Sequence, residues 1–328
     1  MHIYIKKQAQ LTGHQGAIFT LIEGRTPAHV ISGAGDGWLV EWDLMNPDLG
    51  KLIAKTETKI YSAYFLKERN LLIAGNMDGG VHFINLDDTS KNKDIAHHKT
   101  YVFDIKKIGS YIYTLGGDGM LTKWDIDNFK SLESHHLSSK NLRSLDYSIE
   151  KNELAIGASD GNIYLLNPEL DLLKTIKKAH NSSIFTVKYA QNGNFLLSGG
   201  RDAQLKLWDL SQNTDSTSRI NREEVTPIPL ESISAHWYTI NAIAFHPHIP
   251  TLFATASRDK SIKIWRINTD PSRGNREGVL VLEKVIDTIR YGCHTHSVNA
   301  LYWSPFNNQL ISASDDRTLI VWNIEIEQ

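Results

Sequence analysis

Three residue types that together can run nucleophilic chemistry recur along this chain at a fixed spacing. Serine or threonine stands four residues before an aspartate, and a histidine precedes the same aspartate by some 20 residues or more. The complete sets are His14, Ser32 and Asp36; His98, Thr114 and Asp118; His180, Ser198 and Asp202; His236, Thr255 and Asp259; and His294, Ser312 and Asp316. A hydroxyl, an imidazole and a carboxylate in contact form the relay that activates a serine nucleophile. An active site is singular, however, and this constellation occurs five times. Each copy is also followed, six residues after the aspartate, by a tryptophan: Trp42, Trp124, Trp208, Trp265 and Trp322. We therefore read a structural chain from indole N–H to hydroxyl, hydroxyl to imidazole, and imidazole N–H to carboxylate, in which every donor finds an acceptor.

Two further units keep the aspartate spacing and lose its companions together. Ala74 and Ile156 hold the hydroxyl position, Ile84 and Leu166 hold the tryptophan position, and no histidine aligns. Stranding one buried polar partner costs about 1–3 kcal/mol, whereas replacing all of them by apolar groups can be nearly neutral. Loss of the whole set at once thus points to contact between its members.

Other candidate chemistry is weaker. Asp125-Ile126-Asp127-Asn128 lacks the regular oxygen spacing and closing glutamate of a calcium loop. The pairs His97-His98, His135-His136, His246-Pro247-His248 and His294-Thr295-His296 have no companion ligand cluster, so no metal site is expected. The glycines of SGAGDG lie between two strand-like runs, not at the strand-to-helix turn that a dinucleotide fingerprint requires. Cys293 has no activating neighbour and reads as a small buried thiol. No cofactor follows from any of these.

The elements that position these residues repeat. SGAGDGWLVEWDL ending at Leu44, SGGRDAQLKLWDL ending at Leu210, TASRDKSIKIWRI ending at Ile267 and SASDDRTLIVWNI ending at Ile324 echo one another, and TLGGDGMLTKWDI, AGNMDGGVHFINL and IGASDGNIYLLNP share the spacing. The tryptophan-equivalent positions are 42, 84, 124, 166, 208, 265 and 322, separated by 42, 40, 42, 42, 57 and 57 residues, which makes seven units, two of them with insertions. Within units, alternating β-branched runs separated by Gly, Asp and Asn predict short antiparallel strands. Asp-Gly pairs at 36, 78, 118 and 160 suit tight hairpins with positive φ, and no helix of consequence is expected.

With Gly13-His14 and Trp42-Asp43, the chain resembles the WD40-repeat family over essentially its whole length. The resemblance implies an all-β fold: a seven-bladed β-propeller of four-stranded antiparallel blades, with residues 1–328 as a single domain. Each repeat would supply the outer strand of one blade and the three inner strands of the next. The segment after Trp322 is too short for a fourth strand, so residues 3–10, IYIKKQAQ, should complete blade seven and close the ring. Closure removes edges that invite aggregation.

The resemblance also implies where a partner binds. Two positions per blade open on one face around the central channel. The first set reads Phe19, Tyr61, Phe103, Arg143, Phe185, Asn241 and Asn299, and the second Gly35, Met77, Gly117, Ser159, Arg201, Arg258 and Asp315. Four aromatics, a methionine and three arginines match the composition enriched at binding hot spots. An apolar partner group would insert among the aromatics while Arg143, Arg201 and Arg258 hold an acidic or phosphorylated flank. The polar insertions 211–224 and 268–278 should emerge on the opposite face and offer a second surface.

Lysine plus arginine number 35 against 37 acidic residues, a balance that supplies no global field for nucleic acid or anionic membrane. One cysteine excludes an internal disulfide and fits a reducing compartment, and the first residues lack a signal-peptide core. The expectation is a soluble, cytoplasmic, monomeric, non-catalytic scaffold for a protein or peptide partner. A propeller enzyme or small-ligand binder using the central channel is the alternative.

Overall fold

The computed structural model describes residues 2–190, 193–211, 228–268 and 279–327. These form seven four-stranded antiparallel sheets, the blades of a β-propeller. Blade 1 shows the plan: β2 (Ile18–Glu23) lines the centre, followed outwards by β3 (His29–Ala34), β4 (Trp38–Asp43) and β5 (Gly50–Lys55). Burial follows from stacking. Each blade is sandwiched between two others, so residues on both faces of β3 and β4 are covered, whereas β5 on the rim is largely exposed. Blades 2 to 6 repeat the order, with first strands that begin at Ile60, Val102, Leu142, Ile184 and Ile240. The single α-helix among the described residues is the four-residue Thr288–Tyr291.

The hairpins between second and third strands demand a left-handed residue. Gly37, Gly79, Gly119 and Gly161 supply it at φ between +76° and +87°. A Cβ on any of them would run into the carbonyl of Thr56, His98, Ser138 or His180 respectively. The corresponding residues after the aspartate in blades 5 to 7, Ala203, Lys260 and Arg317, adopt the same region at φ 60°, 72° and 69°.

Closure is made by β1 (His2–Thr12) lying antiparallel on β28 (Thr318–Glu327), with pairing from His2 opposite Glu327 to Thr12 opposite Thr318 and a bulge between Lys7 and Ala9. The closing strand is therefore slightly longer than residues 3–10. Ile3 and Leu11 go fully into the core, at 3% and 1% exposure.

In five blades a buried polar chain ties the third strand to the loop that enters the blade. Trp42 Nε1 donates to Ser32 Oγ at 2.8 Å, Ser32 Oγ meets His14 Nε2 at 2.7 Å, and His14 Nδ1 meets Asp36 at 2.9 Å. The same contacts join Trp124, Thr114, His98 and Asp118 (2.9, 2.8 and 3.2 Å) and Trp208, Ser198, His180 and Asp202 (2.9, 2.8 and 2.9 Å). They recur in Trp265, Thr255, His236 and Asp259 (2.9, 2.7 and 2.9 Å) and in Trp322, Ser312, His294 and Asp316 (3.0, 2.9 and 3.0 Å). With the indole donating to the hydroxyl, the hydroxyl donates to Nε2 and Nδ1–H donates to the carboxylate, which fixes the tautomer. Each aspartate also accepts the backbone N–H of the residue after the histidine. Burial pushes the Asp118 carboxyl up, but the His98 hydrogen bond and the Lys99 amide outweigh it and hold it down to about 2.

Blades 2 and 4 fill the same places differently. Thr56 and Ser138 stand where the histidines do elsewhere. In blade 4 Ser138 Oγ and the Tyr164 hydroxyl both donate to Asp160 at 2.6 Å, and Tyr164 is buried. In blade 2 the Asn76 side chain accepts the amides of Asp78 and Gly80 and donates to His82, whose Nδ1 meets Asp94 at 2.5 Å.

Three outcomes follow from this architecture. Deleting residues 1–12 uncovers β28 and strands Ile3 and Leu11, so the product should melt far below the full chain or aggregate; an unchanged melting temperature would show that the ring does not need β1. His180→Ala should lower stability by about 1–3 kcal/mol in urea unfolding, because Ser198 and Asp202 lose their shared partner in the interior. The third concerns acid. Burial pushes the His246 imidazole down to about 4, where its Nδ1 already accepts the amides of His248 and Ile249. Between its ordinary value of 6.5 and about 4, the unfolded chain binds a proton that the folded chain refuses, so stability falls as pH falls through that window. Asp118 adds a further loss from its ordinary 3.8 down to about 2. Melting temperature measured from pH 8 to 3 should decline accordingly, and His246→Asn should flatten the section between 6.5 and 4.

Candidate functional site

Where the first strands of the seven blades converge, the channel opens into a cavity of about 330 Å³. Its lining includes Phe19, Tyr61, Phe103, Arg143, Phe185, Asn241 and Asn299, one from each blade. These follow the buried apolar residue that starts each first strand, Ile18, Ile60, Val102, Leu142, Ile184, Ile240 and Val298, so alternation turns them from the blade interior towards the opening. A register shift at this point in every blade accompanies that turn.

The aromatic members form a continuous arc. Phe19 stacks on Tyr61 at 4.6 Å, Tyr61 meets Phe103 edge-on at 5.8 Å, and Tyr101 stacks on Phe103 at 5.1 Å while touching Tyr61 edge-on. The arc continues through a cation. Arg143 places its guanidinium 4.6 Å from the Phe103 ring centre and 4.3 Å from that of Phe185, and its Nε donates to Ser159 Oγ at 2.8 Å. Such stacking over aromatic faces is worth about 0.5–2 kcal/mol and holds the side chain in one place. Burial pulls the Arg143 guanidinium down and the nearby Tyr61 and Tyr101 work against that, but arginine stays charged. Burial likewise raises the Tyr61 phenol.

Asn241 and Asn299 have a different occupation. Asn241 Nδ2 donates to Ser297 Oγ and to the Val298 carbonyl, and Asn299 Nδ2 donates to the Ile18 carbonyl and to Asp315. Each therefore latches its blade to the next. In the second set the amides of Gly35, Met77, Gly117, Ser159, Arg201, Arg258 and Asp315 all donate to a carbonyl of the adjoining entry loop, which fixes the rim. Arg201 and Arg258 are exposed there, Gly35, Met77 and Gly117 are half-buried, and Asp315 is held by Asn299.

Three rim residues fall outside both repeating positions. Tyr101, Trp237 and Tyr238 lie in the loops entering blades 3 and 6, and Trp237 is 87% exposed. The backbone of Trp237 is fixed by Asp259, and the Tyr238 carbonyl accepts from Ser257, so an exposed indole and phenol are presented beside Arg258. For Trp237 the signal available in the sequence was an aromatic directly after the histidine of a polar chain.

Below the mouth, Asp104, Lys106 and Lys188 line the cavity. Lys106 and Lys188 both pair with Asp146, whose carboxyl burial would raise but the two lysines hold down to about 2. Burial pushes Asp104 up, although its two oxygens accept the amides of Ile105 and Leu145. Each of these charges is engaged by the fold. Among the described residues no group of three or more His, Cys, Asp or Glu could hold a metal ion. Cys293 is buried and its thiol is pushed up to about 12, so it is not a ready nucleophile. No helix among the described residues is long and apolar enough to cross a membrane. The insertions at 211–224 and 268–278 lie, but for Ser211 and Asn268, outside the described residues.

The family model described as WD domain, G-beta repeat matches residues 171–209, 228–266 and 284–323. Guanine nucleotide-binding protein subunit beta-5b of Danio rerio is 24% identical over 97% of this chain and 76% of its own length. Nuclear distribution protein nudF of Emericella nidulans is 27% identical over 62% of this chain, which spans only 43% of that protein. Polyadenylation factor subunit 2 of Candida albicans is 30% identical over 40% of this chain and 22% of its own length. In fold, the chain is similar to the crystal structure of the WD40 beta propeller domain of Doa1, with a TM-score of 0.78 at 16% identity over 99% of this chain and 98% of that one. Repeats, blade architecture and relatives agree: the chain is a seven-bladed β-propeller that carries WD40 repeats in three matched places and is similar to WD40-propeller proteins.

Proposed function

We propose that this chain works as one propeller domain that binds a protein or peptide partner at the channel mouth and catalyses no reaction itself. The observation that carries this reading is the aromatic arc from Phe19 through Tyr61 and Phe103 to the Arg143 sandwich, set around an opening of about 330 Å³. Preorganised aromatic and arginine side chains lose little freedom when a partner arrives, which is what makes them anchors. An apolar partner side chain would lie on Phe19, Tyr61 and Tyr101. Arg201, Arg258 and the free edge of Arg143 would receive a carboxylate or phosphate. Trp237 and Tyr238 would extend the contact outwards over blade 6. Two relatives are named as subunits, of a guanine nucleotide-binding protein and of a polyadenylation factor, which fits a chain that acts by joining an assembly. The near-neutral charge and the single buried cysteine fit a monomeric protein of the reducing cytoplasm that binds neither nucleic acid nor membrane.

Affinity for a partner captured by the wild-type chain should fall at least about thirtyfold in Tyr61→Ala and Phe103→Ala, since hot-spot truncation costs about 2 kcal/mol or more. Phe103→Ala should be the more severe, because it also releases Arg143. Arg201→Ala should weaken binding and reduce its salt dependence, with melting temperatures little changed. Wild-type affinity in all three variants, with loss on changing residues 211–224 or 268–278, would move the binding site to the opposite face.

A further inference from the structure

Five of the seven blades carry an indole at the same point of the third strand, and blades 2 and 4 carry Ile84 and Leu166 there. In the complete blades an indole packs towards the blade before it, as Trp124 of blade 3 does against Phe83 of blade 2 and against His97. Blade 4 lacks the indole, yet Tyr164 is buried there with its hydroxyl on Asp160. Blade 2 has neither, since Ile84 replaces tryptophan and the polar residue on the same strand is His82, turned outwards onto Asp94. An indole buries about 150–250 Å², and isoleucine cannot cover that area. The result is a groove of about 780 Å³ between the outer part of blade 1 and blade 2.

The groove has a definite chemistry. Its floor is apolar, with Ile53 and Ala54 of blade 1 packed beside Ile84. Its walls carry the carboxylates of Glu57, Asp78 and Asp94 against the single ammonium of Lys55, an excess of two negative charges. Glu57 and Asp78 have no salt-bridge partner among the described residues. The Thr58 hydroxyl lines the same wall, buried and without a hydrogen-bond partner, an oxygen that awaits a donor. Charge and floor together suit a long cationic side chain, whose methylene stem lies on apolar surface while its head meets carboxylates.

We propose that this groove is a second docking site, separate from the channel mouth, which takes an extended partner segment presenting an arginine or lysine next to an apolar residue. The stem runs along Ile84 and Ile53, and the cation reaches the carboxylates of Glu57 and Asp78 or of Asp94. The volume falls in the range of about 300–1,000 Å³ typical of small-molecule clefts, which is room for a long side chain and its neighbour. Nothing in this proposal depends on what the mouth binds.

The test is selection of a heptapeptide display library on the full chain. Selected peptides are then synthesised with a fluorescein label and titrated by anisotropy. The expected peptides carry Arg or Lys flanked by apolar residues and weaken as salt is raised. They should lose at least tenfold in affinity for Ile84→Trp, which refills the groove, and for the doubly substituted Asp78→Asn, Asp94→Asn chain. Tyr61→Ala should leave them unaffected. If Ile84→Trp lowers the melting temperature through overpacking, the charge variant decides the question by itself. Enrichment of no basic peptide, or basic peptides that bind both groove variants as they bind wild type, would overturn the proposal. Peptides lost only in Tyr61→Ala would place binding at the mouth and also overturn it.

Discussion

A hydroxyl held between an indole and an imidazole is the joint on which the complete blades depend. Ser32, Thr114, Ser198, Thr255 and Ser312 are all fully buried, and each accepts from a tryptophan of the third strand while meeting a histidine of the entry loop. Remove the hydroxyl and two ring nitrogens are left in the interior without a partner. The histidine in turn holds the aspartate, and the aspartate holds the hairpin amide and the loop amide. One small side chain thus connects the middle of the sheet to the loops of the mouth face. Loops fixed in this way hold the backbones of Trp237, Tyr101 and the two rim arginines in set positions, which lowers the ordering cost when a partner binds.

The fold was legible because its determinants are periodic. The aspartate-to-tryptophan spacing and the Asp-Gly hairpins recur in sequence, and closure could be inferred from a strand-like run without a partner before the first repeat. The positions at the mouth followed from the resemblance to the WD40 family, which marks the residue after the apolar start of each first strand, and those residues do line the opening. What could not be counted was missed. Tyr101 and Trp237 occupy loop positions whose direction is set by backbone bonds to the neighbouring hairpin, not by alternation. Arg143 reads in sequence as a free cation, while its place between Phe103 and Phe185 exists only once blades 3, 4 and 5 are side by side. Asn241 and Asn299 read as binding residues, and their amides prove to be engaged with the neighbouring blade.

The two incomplete blades show that losing a network does not have one outcome. Blade 4 rebuilt its polar contacts around Tyr164 and closed the gap, whereas blade 2 rebuilt them on the outer side through His82 and left a gap behind. Both solutions give the substituting polar side chains partners, Ser138 and Tyr164 on Asp160 in blade 4 and Asn76 and His82 in blade 2, so pairing these groups does not by itself determine the surface. The difference rests on one residue two positions before the tryptophan site, tyrosine in one blade and histidine in the other. Binding surface on a repetitive fold can arise where the repeat is imperfect.

Closure by β1 on β28 also has a kinetic side. The two strands that meet belong to opposite ends of the described chain, whereas every other sheet pairing joins neighbours in sequence. The entropic cost of such a long loop grows only logarithmically, and three doublings beyond a 40-residue repeat add about 2 kcal/mol. Ten paired positions repay that easily once they form. Time is the scarcer quantity, because the pairing cannot be attempted until the rest of the ring has been synthesised. Until then β1 waits with Ile3 and Leu11 uncovered. Lys6, Gln8 and Gln10 keep one side of the waiting strand hydrophilic, and charge on a temporarily open edge discourages pairing with another chain.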